Sequence, residues 1–370
     1  MGKYNIGFIM EQALGHVTHT QNLRANMVHA PDVEAFWTLP QFEPTGLGAR
    51  LPLYRSNWSV RASMQARSGI ARLQRQTRLD ALFFHTQVTA VLAAKWLRRI
   101  PSIVSLDATP LQYDQLGTFY QHTPGPAIKE RLSYRLNREC FQVARHLVTW
   151  SAWAKQSLVD DYGIADAKIT VIPPGAITRD WLRPEPRGHH DGPVKILFVG
   201  ASLERKGGHL LLNAFRALRS LGVELHLVTR DRVAPEPGLF VYHDMQPNSQ
   251  PLKDLYHACD IFALPTFADC LPMVLSEAGA AGLPAVSTTL AGIPEIVRHE
   301  ETGMLVPVGD EAALTRALRT LVEQPELRLR LGERAITTTT REFDATHNAI
   351  RLFDLLKHEV DAERATARRA

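Results

Sequence analysis

Two carboxylates eight positions apart, Asp269 and Glu277, frame the stretch Asp269-Cys-Leu-Pro-Met-Val-Leu-Ser-Glu277, and Ala278-Gly-Ala-Ala-Gly282-Leu-Pro284 follows it. The stretch comes after a strand-like run, Ile261-Phe-Ala-Leu264-Pro265, and reads as a helix leading to the second acid. An acid at a strand end and another on the next helix can both face the carboxyl edge of a parallel sheet, where open α/β sheets bind ligands. Ionised carboxylates there suit a hydroxyl-rich ligand, because each accepts several hydrogen bonds from sugar or ribose OH groups.

A second cluster is cationic. Val199-Gly200-Ala-Ser-Leu-Glu204-Arg205-Lys206-Gly207-Gly208 joins a strand-like run to a helix start. Fixed positive charge, backbone donors beside glycine and a helix N-terminus all favour phosphate. The N-terminal half holds weaker signals. In Gln12-Ala-Leu-Gly15-His16-Val17-Thr18-His19 a glycine between strand and helix lets backbone approach a ligand, and a plain tight turn reads the same way. His85 follows the strand-like Ala81–Phe84, either to meet a ligand or to hold a loop. Asp107 also follows a strand, as a catalytic carboxylate or as a cap for the next segment. Neither Gly-x-Gly-x-x-Gly nor Gly-x-x-x-x-Gly-Lys-Ser/Thr occurs, which disfavours a Rossmann dehydrogenase and a P-loop NTPase.

The elements that must position these residues alternate. In the first half, strands are expected at Tyr4–Met10, Ala81–Phe84, Ser102–Leu106, His146–Thr149 and Ile169–Ile172. Helices are expected at Thr18–Met27, Val88–Leu97, Ala127–Ala144 and Ala152–Asp160. The polar, Pro- and Gly-rich run from Arg183 to Pro193 reads as a linker. The pattern then restarts, with strands at Val194–Val199, Leu225–Val228, Phe240–Tyr242, Ile261–Leu264, Ala285–Thr288 and Met304–Val306, and helices between them. Alternating βα units predict parallel, doubly wound sheets. The expected division is residues 1–183, a linker at 184–193, a second domain at 194–345 and a C-terminal helix at 346–370 that packs back on the first domain.

The 370 residues are 45% hydrophobic and 22% charged, an ordinary soluble composition with room for two cores. Cys140, Cys259 and Cys270 are scattered, which argues against a zinc site or a disulfide framework and for a reducing cytoplasm. The opening residues read as no signal peptide, and no apolar run reaches transmembrane length. The net charge of +4 is uneven: residues 1–185 carry +7 and the remainder −3. Arg55, Arg61, Arg67, Arg72, Arg75 and Arg78 make a basic series that suits an anionic surface, and a solvated helix face carries the same pattern. Trp58, Tyr113, Phe119 and Tyr120 lie in the same half, to stack on sugar rings or to pack a core.

Taken in order, Gly200…Arg205-Lys206-Gly207, Pro265-Thr266 with Asp269…Glu277-Ala278, Gly282-x-Pro284, Ala291-Gly292-x-x-Glu295-Ile296-Val297, Gly303-x-Leu305-Val306 and Asp310 resemble the family 4 glycosyltransferases (glycosyl transferases group 1). Gly15…His19, His85, the Trp150–Leu158 segment and Ile172-Pro-Pro-Gly175 extend the resemblance into the first half. It implies an α/β GT-B fold, two Rossmann-like doubly wound domains facing a central cleft. It also implies transfer of a sugar from a nucleotide diphosphate sugar to an acceptor hydroxyl, with retention and with neither metal nor cofactor. By position, Lys206 and Arg205 would neutralise the leaving diphosphate, Asp269 would contact the donor sugar and Glu277 the ribose. Gly200, Leu271, Pro272 and Met273 would line the donor site, joined by Gly15, His19 and His85.

The chain also departs from the family pattern. Asp269 is one methylene shorter than the usual Glu, Cys270 replaces a glycine, Pro272 lacks an N–H, Ala201 stands where an Arg is common, and Asp107 stands where many members have His. The expected partners are a nucleotide sugar of unspecified base and a saccharide, lipid-linked or small-molecule acceptor. No nucleic-acid partner is expected, since no recognition motif accompanies the arginines. The expected location is the cytoplasm, with peripheral association at the inner face of an anionic membrane. Rival readings are a GT-B sugar-nucleotide epimerase and a non-catalytic sugar-nucleotide or glycan-binding protein of the same fold.

Overall fold

The computed structural model describes residues 4–13, 15–41, 43, 54–55, 57–117 and 126–369. Phe119 and Tyr120 lie outside the described residues. The apolar runs form two sheets. The first contains β1 (Tyr4–Met10), β2 (Val33–Thr38), β3 (Ala81–His85), β4 (Ser102–Leu106), β5 (His146–Thr149) and β6 (Ile169–Val171), in the order β2-β1-β3-β4-β5-β6. The second contains β7 (Val194–Val199), β8 (Val223–Val228), β9 (Leu239–Tyr242), β10 (Ile261–Leu264), β11 (Ala285–Thr288) and β12 (Gly303–Val306), in the order β12-β11-β10-β7-β8-β9. Every pairing within them is parallel, so the doubly wound α/β expectation is met in both.

Parallel sheets are covered on both faces, and their strands read as continuous apolar runs. Ala81-Leu-Phe-Phe-His85 is buried at every position, and its side chains alternate between two cores. Leu82 and Phe84 join Ile9, Val104 and Leu106 on one face, under Ala66, Ile70 and Leu73 of the Trp58–Gln76 helix. Phe83 joins Ile6, Phe8, Ile103 and Val148 on the other. That second face is closed by the C-terminal helix, Ala345–Ala367, through Ala349, Leu352, Phe353, Leu356 and Val360. These five fall at helical spacing and make one stripe. Polar contacts set the helix's register on the sheet: Arg351 donates to Val171 O at 3.0 Å, and Arg364 pairs with Asp80 at 3.1 Å.

The described chain divides into two compact units, one built from residues up to 115, 126–174 and 346–369, the other on Gly175–Ala345. The segment 175–183 therefore belongs with the second sheet, not with the first domain as the linker's composition predicted. The physical reason is a seam between the two ends of that unit. Ala176 N donates to Phe343 O at 3.1 Å, Ala345 N to Ala176 O at 2.7 Å, and the Thr178 hydroxyl to Asp344 at 2.5 Å. The polar linker is itself tied down, since Arg187 donates to Tyr256 O at 2.9 Å, Ala281 O at 3.3 Å and Cys259 O.

The structure departs from the pattern reading in several places, including the unexpected strand β2 and the Trp58–Gln76 helix. Val88–Leu97, expected as one helix, is two short ones, Gln87–Ala90 and Ala94–Leu97. The Ser63 hydroxyl explains the break: it donates to Val88 O at 2.6 Å and accepts from Leu92 N at 3.4 Å, so it replaces the bond those two would make within a helix. The first helix starts early, at His16, and ends as a 3-10 turn over Asn26–His29. Arg61 leaves the basic series, because it is buried in the Trp58–Gln76 helix and donates to Tyr54 O at 2.7 Å.

The seam makes a stability prediction. Gly175 has φ +61, and a Cβ there would lie 1.8 Å from Phe343 O. A non-glycine residue is strained by that conformation, and backbone cannot yield to the clash. Gly175→Ala is expected to destabilise the chain by about 2–4 kcal/mol, read as a lowered denaturation midpoint in urea.

Candidate functional site

Each sheet changes direction once. The chain leaves β1 toward β2 and returns on the other side as β3; it leaves β7 toward β8 and returns as β10. At such a fork the crossovers diverge and leave the carboxyl ends of two strands uncovered, which is where ligands enter doubly wound sheets.

At the second fork, Val199 ends β7, and Gly200 to Ser202 lead into a one-turn helix, Leu203–Lys206, that Ser202 caps by accepting from Arg205 N at 3.3 Å. Two glycines shape the turn. A Cβ at Gly200 would lie 3.0 Å from Lys206 Cγ, so the bare backbone is what lets the lysine stem fold across it. Gly207 ends the short helix at φ +73, and a Cβ there would lie 1.9 Å from Pro265 O, just past β10. The loop after β10 is stitched to this turn. Phe267 N donates to Arg205 O at 2.9 Å, and Arg205 Nη1 donates to Ala268 O at 2.8 Å.

This stitching brings Asp269 onto the two cations predicted from the sequence. Lys206 Nζ hydrogen-bonds Asp269 Oδ2, Arg205 Nη1 lies 3.7 Å from Oδ1, and the Thr266 hydroxyl donates to Oδ2 at 3.3 Å. The Lys206 and Arg205 side chains are only 11% and 17% exposed. Burial pushes the Lys206 ammonium toward release of its proton, and the Asp269 carboxylate opposes it. Two cations share one carboxylate here, beside the N-terminus of the Gly208–Leu218 helix.

Glu277 lies one element further, on the Met273–Ala280 helix, and accepts from the Tyr256 hydroxyl at 3.0 Å. Burial pushes its carboxyl up to about 7, while the Tyr256 hydrogen bond and Lys253 pull the other way. The side chains of Cys270, Leu271, Pro272 and Met273 are buried, so these positions offer backbone only, and Cys270 O already accepts from Gly292 N at 3.0 Å. Asp310, part of the family-like tail, caps the Glu311–Glu323 helix by accepting from Ala313 N at 2.8 Å.

At the first fork the polar groups are mostly uncharged. His85 ends β3 with no exposed surface, its Nε2 2.9 Å from His16 Nδ1 and its ring stacked parallel on Trp150 at 5.2 Å. His16 and His19 meet the same Trp150 edge-on, at 5.5 and 5.4 Å. Burial and the neighbouring imidazoles lower both the His19 and the His85 pKa, that of His19 to about 3, so both rings are neutral at ordinary pH. His85 faces protein on every side in this structure and supports His16 instead of presenting an edge of its own. Gly15 has φ −65, and a Cβ there would meet nothing within 4 Å, so the protein itself makes no demand for glycine. Asp107 follows β4, next along the sheet, and accepts from the Tyr113 hydroxyl through both oxygens, at 2.9 and 2.8 Å.

Sequence reasoning passed over Glu11, His16 and Tyr256. Glu11 is a buried carboxylate directly after β1 that accepts from Trp58 Nε1 at 2.8 Å and from the Thr86 hydroxyl at 2.5 Å. Its signal, an acid just past a strand, is the one that singled out Asp107. Trp58 and Tyr113, expected either to stack on sugar rings or to pack a core, have their polar ends committed to carboxylates. Among the described residues no group of three or more His, Cys, Asp or Glu side chains could hold a metal ion, and no helix is long and apolar enough to cross a membrane.

The chain is similar to two family profiles: "Glycosyltransferase Family 4" over residues 15–179 and "Glycosyl transferases group 1" over residues 193–324. It is 30% identical over 208 residues to a D-inositol 3-phosphate glycosyltransferase of Corynebacterium glutamicum, covering 49% of this chain and 50% of that protein. It is 28% identical over 212 residues to a glycogen synthase of Mycobacterium tuberculosis, covering 54% and 50%. The chain thus spans about half the length of the curated relatives it matches. Among solved structures, a sucrose-phosphate synthase from Thermosynechococcus elongatus superposes with a TM-score of 0.77 at 15% identity, covering 97% of this chain and all (100%) of that one. Anabaena HepE in complex with UDP and glucose superposes at 0.70 and 15% identity, covering 96% and 100%. At these identities the likeness concerns the fold, which is GT-B.

The ion pair generates a test of the site's electrostatics. Asp269→Asn removes the carboxylate that Lys206 and Arg205 share. Breaking a buried pair from one side costs about 3–5 kcal/mol. We expect a melting temperature lowered accordingly and recovered by millimolar pyrophosphate, measured by differential scanning fluorimetry. A variant as stable as the parent without added anion would show that the pair contributes little.

Proposed function

The chain belongs to glycosyltransferase family 4, the group 1 glycosyl transferases, and from that premise we propose that it moves a sugar from a nucleotide diphosphate sugar to an acceptor hydroxyl with retention of anomeric configuration. The observation that carries this reading is the pair of cations at the β7–β10 fork, where Lys206 and Arg205 converge on the carboxylate of Asp269. A departing diphosphate meets that pair and the adjoining helix N-terminus.

In this reading the bond between anomeric carbon and diphosphate oxygen breaks, and the acceptor oxygen bonds to the same carbon from the same face. Positive charge develops on the sugar and negative charge on the leaving group, so stabilisation is mainly electrostatic. The diphosphate takes the acceptor's proton, and no strong protein base is needed. Lys206 and Arg205 stabilise the departing charge, Asp269 accepts from donor sugar hydroxyls, and Glu277 binds the ribose. The backbone N–H groups of Leu271 and Met273 are available to the donor, while Pro272 has none. Gly200 serves by letting the lysine stem pass. Gly15 and His19 contribute to donor binding, His85 does so through His16, and Asp107, held by Tyr113, serves the acceptor. The acceptor class is a glycan, a lipid-linked saccharide or a small molecule.

Peripheral contact with an anionic membrane is part of the proposal. The Trp58–Gln76 helix exposes Arg67, Arg72 and Arg75 in one stripe with Met64, itself 40% exposed. The Ala127–Val143 helix exposes Ile128 (78%) and Leu132 (58%), one turn apart, beside Lys129, Arg131 and Arg135. Apolar side chains that enter the headgroup layer and cations that meet anionic lipid are the two components of interfacial binding, each cation adding about 1 kcal/mol near the surface.

Two outcomes are expected. Lys206→Ala should keep its circular dichroism spectrum and lose about 10²–10³ in turnover of nucleotide sugar with acceptor present; near-normal activity sinks the assignment. Nucleotide binding without transfer to any acceptor would instead mark a sugar-nucleotide-binding protein. In liposome flotation, the protein should rise with vesicles containing anionic lipid and not with neutral ones, and Ile128→Ser with Leu132→Ser should weaken that binding. Flotation indifferent to anionic lipid removes the membrane from the reading.

A further inference from the structure

Tyr256 sits on the Gln250–Ala258 helix with no exposed surface. Its ring stacks on Phe262 of β10 at 5.6 Å and 13°, and meets Trp181 edge-on at 5.0 Å and 76°. These two rings fix the direction of the hydroxyl, which donates to Glu277 Oε2 at 3.0 Å. Phenylalanine would make the same ring contacts, so packing does not require the oxygen. A buried polar atom that packing does not need is retained for its hydrogen bond. Glu277 Oε1 accepts no protein hydrogen bond among the described residues.

We propose that Tyr256 is a positioning residue: its hydroxyl holds one oxygen of Glu277 and turns the other toward the vicinal ribose hydroxyls of the bound nucleotide. The proposal rests on the reading of Glu277 as the ribose acid. A carboxylate on an alkyl stem has several rotamers, and a bond to one oxygen selects among them before the ligand arrives. The saving in ordering is a gain in affinity.

The same bond acts on protonation. Ribose hydroxyls donate to an ionised acid, and burial works against ionisation at Glu277. The groups that face it are few. Tyr256 and Lys253 come from the Gln250–Ala258 helix, and Lys253 is itself 4.0 Å from Asp180 of the Thr178–Trp181 helix. The Pro325–Glu342 helix brings Ala335 and Thr339 against Gly279, with no charge. Both the Tyr256 bond and Lys253 favour the carboxylate. Affinity for a ribonucleotide should therefore fall as pH drops through the Glu277 value of about 7, and loss of the tyrosine hydroxyl should move that fall to higher pH. An upward move of about one unit leaves about fivefold less carboxylate at neutral pH and almost the same amount two units higher.

The test is calorimetric titration of UDP, GDP and ADP into the intact chain, into Tyr256→Phe and into Glu277→Gln, from about pH 6 to 9. The 2′,3′-dideoxy form of the nucleotide that binds is run alongside. We expect Tyr256→Phe to bind the ribonucleotide at least about fivefold more weakly near pH 7, with a smaller loss from the lost ordering still present near pH 9. The difference should vanish with the dideoxy nucleotide. A profile that superposes on the parent's overturns the proposal. So does an equal loss at every pH with both sugars, which marks a structural role. If Glu277→Gln binds undiminished, the ribose reading falls and the proposal with it. If that variant loses binding while Tyr256→Phe is unchanged, only the proposal falls. Failure of all three nucleotides to bind the parent overturns both.

Discussion

Strands that all run the same way cannot be joined by tight turns. Each crossover must carry the chain back over the sheet, so all carboxyl ends fall along one edge. Where successive crossovers part to opposite sides, that edge opens. At the β7–β10 fork this constraint decides which side chains can meet. Lys206 and Asp269 are 63 positions apart, yet one comes just after the first strand of the sheet and the other just after the strand beside it. Their meeting is a property of strand order before it is a property of either side chain. Local features then refine it to bonding distance: glycine at 200 and 207, the Ser202 cap, and the Arg205 backbone and side-chain bonds to the β10 loop.

Holding two cations together away from water is unfavourable without an anion. In the chain alone Asp269 supplies such an anion to both. The acid is one methylene shorter than the glutamate usual at its place, and its short stem keeps it at the cations. A diphosphate brings more negative charge than one carboxylate, so it can take over the lysine and arginine without leaving a charge unbalanced. The departure from the family pattern thus coincides with an acid held directly on the two cations.

Much of this was legible in the residues, for identifiable reasons. Continuous apolar runs such as Ala81–Phe84 and Ile261–Leu264 are strong strand signals, and His85, Asp107 and Gly200 stand out as candidates because each directly follows such a run. What stayed hidden depended on contacts remote in sequence. No local pattern reveals that Ser63 interrupts the helix expected at Val88–Leu97. Arg61 reads like its exposed neighbours until the fold places it over Trp58, with its guanidinium 5.3 Å from the ring. Glu11 carried the same signal as Asp107 and was overlooked beside the more conspicuous Gly15 and His19. Tyr256 reads as one apolar residue in a helical stripe; its value lies in a hydroxyl whose partner is 21 positions away.

The two forks differ in electrical character, and the difference suits different ligand groups. The second concentrates fixed charge, as an anion requires. The first gathers His16, His19 and His85 around Trp150, and burial with mutual repulsion keeps His19 and His85 neutral. A neutral imidazole has one donor and one acceptor nitrogen, which matches a hydroxyl group and makes no demand for a counter-ion. Charging either ring would place a cation in a buried position next to another imidazole, so these two rings stay uncharged through the whole neutral range. Glu11 and Asp107 are likewise committed to neutral donors, Trp58, Thr86 and Tyr113, and not to cations. A polar surface of this kind discriminates by the direction of its hydrogen bonds. Hydroxyls with fixed geometry fit it, and a free phosphate, which needs positive charge, does not. On that ground the first fork is suited to uncharged hydroxyl groups, and the second, with Lys206 and Arg205, to an anion.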